Sequence, residues 1–182
     1  MHNEQQVTPH IYWVGGNDFN SPRFENLIPL KSGVTYNSYF IDDEKTAVID
    51  TTDTVIRDLF IGNVSHLLHG RKLDYIVVNH MEPDHSGSLL ALAMAYPEAK
   101  IVASAQALKM LGQYFQVSMP ERYITSDEKL VIDLGMHKLR FLKGYFQQPL
   151  RQILGEEAAL LSWLEGKAEK LYARKQRYGD AL

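Results

Sequence analysis

Apolar positions fall in short blocks along the first 142 residues, and the rhythm changes after that. Residues 8–18 read as a strand followed by a Gly15-Gly16-Asn17-Asp18 turn, where paired glycines permit positive φ. Residues 34–41 and 45–50 are rich in Val, Ile, Tyr and Phe and enclose Asp42-Asp43-Glu44, which predicts a β-hairpin with an acidic turn. Thr52-Asp53 looks like a helix start. Val55, Leu59, Ile61, Val64 and Leu67-Leu68 then recur at helical spacing, and Gly70 ends the helix. Residues 73–79 read as a buried strand, 89–96 as a short helix and 100–104 as a further strand, with Ser104 or Ala105 opening a helix through Leu111. Three short strands follow, at 122–124, 129–132 and 138–142. Strands and helices mixed in this order predict an α/β sandwich with helices on the outer faces of its sheets.

Past the break at Gln147-Gln148-Pro149, Leu150, Leu154, Leu161, Leu164, Ala168 and Leu171 recur at intervals of three, four and seven. That is the pattern of an amphipathic helix, weakened at Gly155 and Gly166 by roughly 1 kcal/mol each relative to Ala. The division this suggests is 1–143 as one unit and 144–182 as a helical tail. A chain of 182 residues, 45% hydrophobic, has the size and composition of a globular protein with one ordinary core. A formal charge of -3 gives no electrostatic reason to expect nucleic acid, and no apolar run is long enough to cross a bilayer. With no cysteine, disulfides, thiolate metal sites and a cysteine nucleophile are excluded. The opening residues lack the basic start and apolar stretch of a secretory signal, so a cytoplasmic location is expected.

The chemistry concentrates in His80-Met81-Glu82-Pro83-Asp84-His85, directly behind the apolar run Tyr75-Ile76-Val77-Val78. Four potential metal ligands lie within six residues, and the turn at Glu82-Pro83 lets alternate side chains converge. Two imidazoles with two carboxylates, and no thiol, lean toward iron or manganese over zinc. Elsewhere the histidines carry no such pattern. His66 and His69 read as surface residues of a helix, and His2, His10 and His137 have no partner motif. Gly15-Gly16 is not followed by a phosphate-binding pattern, so no nucleotide site is expected.

The H-x-E-x-D-H pattern resembles that of the flavodiiron proteins, whose iron domain has the metallo-β-lactamase fold. Common hydrolases of that fold carry His where Glu82 stands. Ile11-Tyr12-Trp13-Val14-Gly15-Gly16, Gly33-Val34-Thr35-Tyr36-Asn37-Ser38-Tyr39 and Thr46-Ala47-Val48-Ile49-Asp50-Thr51 agree with the same family, over residues 8–142. The resemblance implies the first half of a metallo-β-lactamase-like αββα sandwich. It also implies non-haem iron ligated by His80 and Glu82 on one side, and by Asp84 and His85 on the other. Asp50 would support the ligand loop by hydrogen bonding. Asn37, Tyr39 and the stretch Phe24-Glu25-Asn26 would lie near the pocket.

The implied activity is reduction of O₂ to water or of NO to N₂O, with electrons from FMN and a rubredoxin-like donor and with head-to-tail homodimers. The family pattern continues with two further His and a bridging Asp. Here no His follows His137, and the only Asp after residue 143 is Asp180. Carboxylates on the tail (Glu156, Glu157, Glu165, Glu169) read as a solvated helix face. The expectation is therefore a truncated flavodiiron-type oxidoreductase with impaired activity and no FMN domain. The alternatives are a metal-dependent hydrolase of the same superfamily and a non-catalytic interaction module.

Overall fold

The computed structural model describes residues 2–24 and 28–142. Glu25, Asn26 and the helix expected within 144–182 lie outside the described residues. The strands are β1 (Gln5–Thr8), β2 (Ile11–Trp13), β3 (Gly16–Asp18), β4 (Arg23–Phe24), β5 (Ile28–Pro29), β6 (Val34–Tyr36), β7 (Tyr39–Ile41), β8 (Ala47–Ile49), β9 (Tyr75–Val78), β10 (Lys100–Ala103), β11 (Tyr123–Thr125), β12 (Val131–Asp133) and β13 (Lys138–Arg140). The helices are α1 (Arg57–Leu68), α2 (Pro83–Ser86), α3 (Leu89–Ala95) and α4 (Ala105–Phe115).

A seven-stranded sheet in the order β1-β2-β7-β8-β9-β10-β11 forms the frame. Its first four strands pair antiparallel; β8, β9, β10 and β11 run parallel. Side chains of a strand alternate between faces, and the burial follows that alternation. Phe40, Val48, Ile76, Val78, Ile101 and Ala103 belong to one cluster with Phe60, Val64, Leu67 and Leu68 of α1, Leu89 and Leu92 of α3, and Leu111 of α4. Ile41, Ala47, Val77 and Val102 point the other way and pack with Ile132 and Leu134 around the β12–β13 hairpin. Strands buried on both faces need near-continuous apolar sequence, as Tyr75-Ile76-Val77-Val78 shows. Burying one Leu, Ile or Phe side chain is worth about 1.5–3 kcal/mol, so the larger helix-side cluster carries most of the stabilisation.

Local structure departs from the sequence reading at three places. Gly15 and Gly16 form no positive-φ turn; Gly16–Asp18 is β3, paired with β6. Gly15 is required for another reason, since a Cβ there would overlap the Tyr36 carbonyl oxygen. Residues 34–41 are two strands in different sheets rather than one, and the hairpin is β7–β8 alone. The helix expected from Thr52 begins as a 3₁₀ turn over Thr54–Ile56. Its Asp53 side chain accepts the Val55 N–H at 2.9 Å, and Val55 is half exposed. His69 in the left-handed region and Gly70 (φ 82°) then terminate α1.

Buried polar groups hold the frame where apolar packing cannot. Arg122 was read as a strand residue, but it sits in a 3₁₀ turn ahead of β11 with its guanidinium buried. It donates to the carbonyls of Ala99 (2.9 Å), Ala93 (3.0 Å) and Tyr96 (3.0 Å), so it caps the end of α3. His137 also has a partner, contrary to the sequence reading: its Nδ1 and its backbone N–H lie 2.8 and 2.7 Å from Asp43 Oδ2. Burial pushes the Asp43 carboxyl up. The hydrogen bonds from Met136, Glu44 and His137 outweigh it and hold the group well below the usual carboxylate range.

Candidate metal centre

The site lies at the ends of two adjacent parallel strands. β8 ends at Ile49 and β9 at Val78, so the segments that follow, 50–53 and 79–88, leave the same edge of the sheet side by side. Asp50 adopts φ 57°, a left-handed conformation that turns the chain sharply out of β8. Its carboxylate then reaches across to the neighbouring segment. Oδ1 accepts the Asn79 N–H at 2.7 Å, Oδ2 accepts the Asn79 side-chain amide at 3.2 Å, and Oδ2 lies 3.3 Å from His85 Nδ1. The Thr51 N–H and hydroxyl both donate to the His85 carbonyl at 2.8 Å, and the Ser88 N–H donates to the Thr52 carbonyl at 2.8 Å. A Cβ at Gly87 would come within 2.7 Å of the Pro83 carbonyl and 3.1 Å of the Thr54 nitrogen, so the two segments touch where only glycine fits.

Residues 80–82 retain strand-like alternation. Met81 points inward and is buried in the helix-side core, which leaves His80 and Glu82 on the outer side with His80 Nε2 3.0 Å from Glu82 Oε2. Proline at the first position of α2 supplies no N–H that would need a partner there. The Ser86 hydroxyl, bonded to the Met81 and Glu82 carbonyls (2.9 and 3.0 Å), closes the turn. Within α2, His85 Nε2 lies 3.3 Å from Asp84 Oδ2. The rings of His80 and His85 meet edge to face, 5.7 Å apart.

The four residues thus form two imidazole–carboxylate pairs rather than one converged cluster. His80 with Glu82 is the more exposed pair, and Asp84 with His85 the more enclosed. Asp84 Oδ1 is buried without a hydrogen-bond partner among the described residues, and a buried polar atom left that way costs free energy; His85 Nδ1, also buried, faces Asp50 Oδ2 at 3.3 Å. The Asp50 carboxylate, more than the charges of Asp84 and Glu82, raises the pKa of His85 against the opposing effect of burial. Each pair presents a nitrogen and an oxygen donor, a set suited to a borderline or moderately hard ion, and the unsatisfied Asp84 Oδ1 belongs to the enclosed pair. The donor chemistry fits the implied metal, with two donors per ion. Asn37 accepts the Trp13 indole N–H at 3.0 Å, and Tyr39 stands opposite Ile49 on the β7–β8 ladder.

A second grouping lies away from the ligand loop. Among the described residues, His2, Glu4 and His66 have ligand atoms that all lie within 4.8 Å of one another. Its one trace in the sequence is the spacing His2-x-Glu4, and nothing near either residue points to His66.

Residues 34–148 match the family described as ODP family beta lactamase. A nitric oxide reductase from Moorella thermoacetica is 31% identical over 159 residues, covering 85% of this chain and 40% of that protein. Diflavin flavoprotein A 1 from Synechocystis sp. is 30% identical over 141 residues, covering 77% of this chain and 24% of the relative. The crystal structure of the flavodiiron protein from Giardia intestinalis superposes with a TM-score of 0.70 at 28% identity, over 77% of this chain and 34% of that one. The chain therefore spans about a quarter to two fifths of the length of these curated relatives.

Proposed function

We propose, of a chain that belongs to the ODP family of β-lactamase-like domains and within it to the flavodiiron proteins, that residues 79–88 form the iron-binding half of a reductase for O₂ or NO. The observation that carries this reading is the pairing of His80 with Glu82 and of Asp84 with His85 at the end of one buried strand. In this reading His80 and Glu82 hold one non-haem iron, and Asp84 and His85 face a second. When bound, ferrous iron supplies electrons and open coordination positions to O₂ or NO.

The protein's own residues prepare that chemistry. Asp50 fixes the His85 ring from behind and holds the Asn79 backbone, so the strand end cannot swing away. Met81 anchors the loop in the core and keeps His80 and Glu82 on a common side. The two carboxylates offset part of the charge of two dications in a half-buried setting.

All four donors come from one loop, and residues 143–182 contain no His. Two donors per ion leave further coordination positions to be filled from outside residues 79–88. In this reading FMN and a rubredoxin-like donor supply the electrons, and the assembly is a homodimer. The reading also carries a cytoplasmic location and a unit boundary at residue 143; among the described residues no helix is long and apolar enough to cross a membrane. No observation favours the hydrolase reading, since Glu82 stands where those enzymes carry His.

Anaerobic titration with Fe²⁺ tests the proposal. Binding of up to two ions per chain, weakened about a hundredfold by His80→Ala and by Asp84→Ala, is expected. Equal iron binding in wild type and both variants would overturn it.

A further inference from the structure

We propose that His2, Glu4 and His66 form a second metal site, for a divalent ion of the zinc class, on the outer side of α1 and independent of the ligand loop. Asn63 is a fully buried polar residue in the middle of α1. Its side-chain amide donates to Asn3 Oδ1 (2.7 Å) and to the Val14 carbonyl (3.1 Å), and its Oδ1 accepts the Asn3 N–H (3.2 Å). This reciprocal pair pins the segment 2–4 alongside the helix. With Asn3 held at Asn63, the His2 ring and the Glu4 carboxylate both reach His66, one turn further along α1.

The three side chains are already assembled. The His2 and His66 rings stack at 4.3 Å with a 9° tilt, and Glu4 Oε1 lies 2.5 Å from His66 Nδ1. The His2 ring lies over Gly62, one turn before His66 on the same helix, at a distance where a Cβ would make only ordinary contact (3.9 Å). Glu4 is the group that asks for a cation. Its side chain is 14% exposed, and Oε2 is buried with no hydrogen-bond partner among the described residues.

Donors bound tetrahedrally at about 2.0–2.2 Å stand roughly 3.3 Å apart, so the Glu4 Oε1–His66 Nδ1 pair at 2.5 Å must open to admit an ion, while the other donors, already within 4.8 Å, close by about 1.5 Å at most. Rotation of the exposed His2 ring supplies that movement. Two imidazoles and one carboxylate suit zinc with a coordination position left open. The site fastens the segment ahead of β1 to α1, and a bound ion would tighten that clasp.

The test uses the full chain without a histidine tag, stripped of metal, in a His80→Ala/His85→Ala background so that the ligand loop cannot contribute. Isothermal titration with Zn²⁺ should show one ion per chain. Affinity should fall about a hundredfold in each of His2→Ala, Glu4→Gln and His66→Ala, at the upper end of what loss of even an outer support costs a metal site. Glu4→Gln is isosteric and leaves the fold intact, which far-UV circular dichroism verifies. No saturable zinc binding in the background protein, or unchanged affinity in any one of the three variants, would overturn the assignment.

Discussion

Asp50 does two separable jobs, and a three-member substitution series tells them apart. The residue is buried and holds φ 57°, while its carboxylate takes the Asn79 N–H, the Asn79 side chain and the contact with His85. A hydrogen bond to a charged acceptor is worth about 1.5–3 kcal/mol, and the 2.7 Å bond from Asn79 N dominates the set. A left-handed backbone costs a residue with a plain Cβ about 1–2 kcal/mol, a cost that glycine escapes and Asp and Asn largely do. Asp50→Ala therefore loses the bonds and incurs the strain, about 3–4 kcal/mol in all. Asp50→Gly loses the bonds alone and should be about 1 kcal/mol more stable than Asp50→Ala. Asp50→Asn keeps a neutral acceptor and a tolerated backbone, with a loss of about 1 kcal/mol. Urea unfolding at pH 7 measures the series. With a slope near 2 kcal/mol per molar, the midpoint of Asp50→Ala should drop by about 1.5–2 M. If Asp50→Ala unfolds within about 0.25 M of wild type, the carboxylate does not hold the ligand loop. If Ala and Gly coincide, the backbone argument is wrong.

Arg122→Ala should cost about 3 kcal/mol, because the carbonyls of Ala93 and Tyr96 at the end of α3 and of Ala99 just ahead of β10 lose one shared donor, and Arg122→Lys should recover little, since one ammonium lacks the planar fork; thermal unfolding of both variants checks this. The depressed pKa of Asp43 means that its ionised form stabilises the fold at pH values above the ordinary 3.8, and that this contribution is lost as pH falls below it. Asp43→Asn should therefore be less stable at pH 7 and lose less stability between pH 5 and 3 than wild type, read from urea midpoints at each pH.

The strands of the parallel core and the ligand loop could be read from the sequence because their signals are local. Tyr75-Ile76-Val77-Val78 is apolar on both faces, and His80, Glu82, Asp84 and His85 carry their chemistry in their spacing. What could not be read depends on partners distant in the chain. Asn63 looks like a polar residue spoiling an apolar helix stripe until Asn3 and Val14 arrive beside it. Arg122 reads as the first residue of a strand, because nothing near it in sequence announces the carbonyls at 93, 96 and 99. His2 and His66 were separately unremarkable, and only the fold made them neighbours. The split of residues 34–41 between two sheets was likewise invisible, since both pieces have the same β-forming composition.

The stitching of segment 50–53 to segment 79–88 also fixes an order of events. Thr51 bonds to His85, and Ser88 to Thr52, across separations of more than thirty residues. Neither bond can form until the β8–α1–β9 crossover has closed and its loop entropy has been spent. The ligand loop is thus among the last parts of the chain to acquire its shape. In pulse-labelled refolding, the amides of Thr51 and Ser88 should gain protection together, after those of β9 and α1.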